Sequence, residues 1–155
     1  MSTSGRVKLK VLAASWFEAW LDDAWLAEGP ARFDKAQPEY ELIEMELEAG
    51  EHVLAMHVHY EGIATRLLEE DTPLFVYASV ESENESVDMA WRYLPLDAYR
   101  KTERRIDCVL GWVEWCNTEK LPQQWRGSGS DHSDWFDAVP SFVKPSTGND
   151  SGTAS

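Results

Sequence analysis

Cysteine is scarce in this chain: Cys108 and Cys116 are the only two in 155 residues. Residues 106–116 read as one strand, which would hold the two roughly 26 Å apart, far beyond disulfide reach. Their even spacing puts them on one face, so both are expected as buried free thiols, and they offer no metal-ligand pattern. Basic residues are also short, 14 against 28 acidic, a formal net charge of −14. A phosphate backbone or an anionic membrane surface is repelled by that field, so neither nucleic acid nor membrane is an expected partner. No apolar run approaches the ~20 residues a membrane helix needs. The polar start shows no apolar signal segment, and the expected location is cytoplasmic. Also missing are a Gly-x-Ser-x-Gly nucleophile elbow, a Cys–His pairing of family spacing and a phosphate-cradling glycine loop.

Apolar residues make up 43 % of the sequence, which excludes disorder throughout, and the length suits one domain with a sizeable core. Eight tryptophans favour β-layers or stacking surfaces over a simple helical bundle, because each indole N–H needs a partner. The expected organisation is a flexible leader over 1–6, a β domain over 7–145 and a flexible tail over 146–155. Within the domain, residues 7–13 alternate as a strand. Residues 17–21 and 25–27 form a hairpin around Asp22-Asp23. Residues 40–47 alternate strictly, but the apolar side switches part-way, which points to a bulge or a strand end near Ile43. Residues 52–60 are apolar on both faces, the signature of a strand inside a sheet covered on both sides. Further strands are expected over 74–80, 88–93 and 106–116, with a Gly-Ser connector at 127–130. Short strands every 10–15 residues predict an all-β fold, an antiparallel β-sandwich of jelly-roll type.

Several segments carry a resemblance. The hairpin followed by Gly29-Pro30-Ala31-Arg32 resembles the N-terminal sandwich of alpha-L-rhamnosidase-like glycoside hydrolases, although Asp22-Asp23 stands where that family has Asn-Gly. Leu47-Glu48-Ala49-Gly50-Glu51-His52-Val53-Leu54-Ala55 is similar to the family's Gly-Glu-Asn-Val-Ile-Ala segment. His57-Val58-His59-Tyr60-Glu61-Gly62 is similar to its strand ending in His, an aromatic residue and Gly. Val87-Asp88-Met89-Ala90-Trp91-Arg92 resembles its Thr-Asp-x-x-Trp-Arg, and Gly111-Trp112-Val113-Glu114-Trp115 a Gly-Phe-x-Glu segment. Asp131-His132-Ser133-Asp134-Trp135 is similar to an Asp-Asp-Ser-x-Trp element that opens a following domain in such hydrolases. The resemblance spans roughly residues 8–140. It implies a galactose-binding-domain-like sandwich without the family's catalytic helical barrel, so hydrolysis of glycosides is not expected. It also raises a structural calcium as the single candidate cofactor, for which no contiguous oxygen-ligand motif is legible.

The acidic pairs Asp22-Asp23, Glu44/Glu46 and Glu69-Glu70-Asp71 read as solvated faces, since nothing marks two carboxylates held across a cleft. His57 and His59 share one strand face. They would ligate a metal only with a third group such as His132 nearby, and otherwise serve the strand end beside a ligand. Trp16 and Trp20 lie on one face of their strand, with Phe17, Ala19 and Leu21 on the other. At least half of the tryptophans are expected in the core. Sugar rings stack C–H faces on aromatic rings and present hydroxyls to polar side chains, so the candidate sugar-binding patch is Arg32, Asp34, His57, His59 and Tyr60. The expected function is a non-catalytic carbohydrate-binding or accessory module, with a catalytic domain or a second copy as its protein partner. The alternative is a small sugar-active lyase or isomerase using His57 or His59 as base.

Overall fold

Val7, Leu9, Val11 and Ala13 alternate with polar neighbours, and the chain forms a strand there, β1 (Gly5–Ala13), starting two residues ahead of the expected 7–13. The computed structural model describes residues 4–13, 16–29, 39–60, 75–82, 86–87, 89–100, 105–107, 111–112 and 115–139. In chain order the following strands are β2 (Trp16–Leu21), β3 (Ala24–Gly29), β4 (Glu41–Leu47), β5 (Leu54–His59), β6 (Val76–Ser82) and β7 (Ser86–Val87). Then come β8 (Arg92–Tyr93), β9 (Arg105–Asp107), β10 (Gly111–Trp112), one 3-10 turn (Thr118–Lys120) and β11 (Phe136–Asp137). Every ladder among the described residues is antiparallel. One sheet runs β4-β1-β6-β7, a second β3-β2-β5, and β8/β11 and β9/β10 are separate ribbons.

The two larger sheets share one core. Leu9, Val11 and Ala13 of β1 meet Phe17 and Ala19 of β2, and Ile43, Met45, Leu54, Met56, Val58, Ala78 and Val80 pack around them. The architecture is therefore all-β and sandwich-like. Phe17 is fully buried at its centre. Its ladder partner is Gly29, where an added Cβ would come within 3.2 Å of the Phe17 ring and 2.9 Å of Glu41 Cγ. A side chain at 29 would displace the ring that anchors the core.

The outer face of the first sheet is a charge ladder. Basic β1 lies between acidic strands, with Arg6–Glu46 at 3.8 Å, Lys8–Glu44 at 3.3 Å and Lys10–Glu81 at 2.7 Å. These exposed pairs contribute little individually, but a slipped register would set carboxylates against core residues.

The β2–β3 turn has positive φ at both central residues, Asp22 (49°) and Asp23 (70°), the signature of a type I′ hairpin. Aspartate enters the left-handed region more readily than most residues, and Asp22 adds its own bonds. Its carboxylate accepts from Val53 N at 2.9 Å and from His52 Nδ1 at 2.6 Å, while Asp22 N donates to Val53 O at 3.0 Å. His52 Nε2 donates to Glu48 O at 2.9 Å. Both ring nitrogens face acceptors, so only the imidazolium satisfies both. The hydrogen bond to Asp22, then that to Glu48, raises the His52 pKa above its ordinary 6.5. Desolvation pushes the Asp22 carboxyl up, but the bonds from His52 and Val53 outweigh it and hold it below 3.8.

Several expectations are corrected. The apolar side of β4 does not switch: Ile43, Met45 and Leu47 face inward without a break, and Leu42 is exposed. The irregularity lies instead in the β2–β3 ladder between Ala19 and Trp20, where the extra residue is Leu26, turned toward the core. Strand β5 lies at the edge of its sheet among the described residues, not in its interior. Residues 106–116 are not one strand: β9 and β10 pair antiparallel, so the chain reverses between them. Cys116 is exposed and not buried, and Cys108 lies outside the described residues. Residues 127–130 form a bonded turn, with Ser130 N donating to Gly127 O at 3.1 Å and Gly127 N to Ser130 Oγ at 3.2 Å. The expected tail at 146–155 lies outside the described residues.

Two outcomes follow from this architecture. Phe17→Ala empties the centre of the core and should lower stability by about 3–5 kcal/mol, read from urea unfolding. The His52 contribution is complete below pH 6.5 and is lost as pH rises through the raised His52 value. The Asp22 contribution is present above pH 3.8 and is lost as pH falls through the lowered Asp22 value. The difference in urea midpoint between wild type and His52→Gln should therefore be widest between these limits and shrink at alkaline pH; a flat difference across pH 5–9 contradicts the pairing.

Candidate functional site

Because Phe17, Ala19 and Leu21 point into the core, Trp16, Glu18 and Trp20 must emerge on the opposite face of β2, as the alternation predicted. Their ladder partners there are His59, His57 and Ala55 of β5. At the β2 start four rings form a closed cluster. Trp16 stacks on His59 with centroids 5.3 Å apart and meets His57 edge-on at 5.8 Å. Tyr99 stacks on His57 at 5.8 Å and meets His59 edge-on at 6.3 Å. Tyr99 is delivered by a short bridge to Cys116, braced by Arg100 N to Trp115 O at 3.1 Å and Asn117 N to Ala98 O at 2.9 Å. Glu18 Oε2 lies 3.7 Å from His57 Nδ1, within ion-pair range but too far for a hydrogen bond. All five side chains are half-buried, and Tyr60 follows, exposed, beyond the end of β5.

At the other end of β2 the same face is covered. Trp20 is only 6 % exposed, with Trp125 and Arg126 packed against it. Trp125 meets Trp20 edge-on at 5.4 Å, and the Arg126 guanidinium sits 3.9 Å above the Trp20 ring centre and 5.2 Å from that of Trp125. Trp135 packs against Trp125 at 6.4 Å and His132 at 4.7 Å, and His132 Nε2 donates to Trp125 O at 3.0 Å. The Asp131–Trp135 element begins as a side-chain-capped turn, Ser133 N to Asp131 Oδ1 at 2.9 Å, and leads into β11, which pairs with β8.

The structure thus brings His57 and His59 together with Trp16, while Arg32 and Asp34 lie outside the described residues. The ring cluster is completed by Tyr99, which sequence reasoning missed; residues 30–38, which hold the rest of the expected patch, lie outside the described residues. A residue reaching the site through one isolated bridge leaves no periodic signal. Trp125 and Arg126 were missed because the surrounding Gly and Ser residues read as a connector. The tryptophans are less buried than expected: of the seven whose side chains are described, only Trp20 falls in the core.

Chemically, the four-ring cluster offers aromatic faces for C–H stacking and a carboxylate for hydroxyls. Among the described residues no group of three or more His, Cys, Asp or Glu is disposed to hold a metal ion. No helix of the described residues is long and apolar enough to cross a membrane. No protein-family model, curated protein or solved structure matches the chain.

Proposed function

We propose that this chain is a non-catalytic carbohydrate-binding or accessory module, a jelly-roll sandwich of the galactose-binding-domain-like kind that resembles the N-terminal domain of alpha-L-rhamnosidase-like hydrolases. One observation carries the reading: the cluster of Trp16, His57, His59 and Tyr99 with Glu18 at its edge, on the outer face of a rigid sheet. Ring faces supply stacking area at low entropic cost, and Glu18, the histidines and the exposed Tyr60 supply polar partners. The net charge of −14 favours neutral sugars over polyanions here. A catalytic domain or a second copy of the chain is the protein partner that an accessory role requires.

A second reading rests on the placement of Glu18 3.7 Å from His57, because a carboxylate beside a histidine is a pairing that general bases use. On this reading the chain is a small lyase or isomerase acting on sugars.

The test is calorimetric titration with a panel of neutral mono- and oligosaccharides, rhamnosides included, alongside turnover assays on the same panel. Binding without turnover is expected, and Trp16→Ala should weaken it about tenfold, the equivalent of one lost stacking contact of ~1.4 kcal/mol. Absence of binding across the panel overturns the module. Turnover abolished by His57→Ala in a folded protein overturns it in favour of the enzyme.

A further inference from the structure

Acidic residues outnumber basic ones two to one, and among the described residues most basic side chains find a carboxylate: Arg6, Lys8, Lys10, Arg92 and Lys120 each do. Arg126 does not. Its guanidinium lies over the Trp20 ring and beside Trp125, and among the described residues neither a carboxylate nor a carbonyl meets its N–H groups. Stacking occupies the face of a guanidinium and leaves its five in-plane donors unspent. The side chain is half-buried, so those donors have given up part of their water without a protein partner in return. The clamp is also preorganised. Trp125 is fixed by His132, and Arg126 runs directly into the bonded 127–130 turn. Across the β2–β3 ladder Trp25 stands opposite Trp20 on the same face, 61 % exposed.

We propose that Arg126 and Trp25 form a binding site for a uronic acid, the carboxylate-bearing class of sugar. The planar carboxylate matches the guanidinium fork in a two-bond contact, and the C–H face of the pyranose stacks on the Trp25 indole. A phosphate ligand is disfavoured, because its second charge meets the field of a −14 protein, whereas a single carboxylate is neutralised locally by Arg126. The ligand class rests on the carbohydrate reading above, but the site is separate from the Trp16 cluster.

The two can be told apart by NMR of the tryptophan indole N–H signals during titration. The probes are methyl glucuronoside, which carries one carboxylate, the matching neutral methyl glucoside, sodium acetate and sodium phosphate. Methyl glucuronoside should shift the Trp25 signal saturably and bind at least tenfold tighter there than the other three. Arg126→Gln should lose about tenfold or more, Arg126→Lys less, and Trp25→Ala several-fold. Trp25 is exposed, so its replacement keeps the test decisive if the Arg126 variants fail to fold. Equal affinity for uronate and neutral sugar at Trp25 overturns the site. So does acetate or phosphate binding as tightly as uronate, or undiminished uronate affinity in a folded Arg126→Gln or in Trp25→Ala. A neutral sugar that moves only Trp16, with no uronate response at Trp25, sinks this site and spares the earlier reading. The reverse pattern spares this site alone.

Discussion

The pairing of β2 with β5 sets Phe17 opposite Val58 and Ala19 opposite Met56, and every other feature of the outer surface depends on that register. Side chains alternate with a period of two, so fixing Phe17 in the core fixes Trp16, Glu18, His57 and His59 on the far side. A slip by one residue would bury Glu18 and expose Phe17, at a cost that forbids it. The placement of the ring cluster therefore follows from core packing. Gly29 belongs to the same constraint, since it leaves the space that the Phe17 ring occupies.

The first sheet solves a different problem. Its inner face contributes Leu9, Val11, Ile43 and Val80 to the core, and its outer face is polar. Placing the basic strand between two acidic ones disperses like charge in a chain with a large acidic excess. The ladder adds register specificity more than stability. The His52–Asp22 contact works similarly at the hairpin: it ties a turn with two left-handed aspartates to the strand that follows β4, holding β2 and β5 in step at that end.

Period-two patterns made β1, β2, β4 and β6 legible, together with the two faces of β2 and the reversal at Asp22-Asp23. Elsewhere, local pattern and tertiary context diverged. Residues 52–60 look like an interior strand because both sides are apolar, yet on the outer side of β5 the rings of Trp16 and Tyr99 pack against His59 and His57. Residues 106–116 are apolar enough to read as continuous, and nothing in their composition marks the reversal between β9 and β10. In β4, Tyr40 and Leu42 suggested a switch of face, but both are exposed aromatic or aliphatic residues near an edge, where apolar side chains are tolerated. The pairing of His57 with His59 was visible from spacing alone. Arg126 was not, because its significance depends on which rings lie beneath it and on the absence of a carboxylate nearby, both purely spatial facts.

Strand β4 is the outermost member of its sheet among the described residues, seven residues long and free of bulges. A straight, regular border of that kind is a template for strand addition, the first step of aggregation. Glu44 and Glu46 project from it at alternate positions, so two copies approaching border to border bring their carboxylates together. Exchanging both for neutral β-formers would remove that repulsion and leave a border open to self-association.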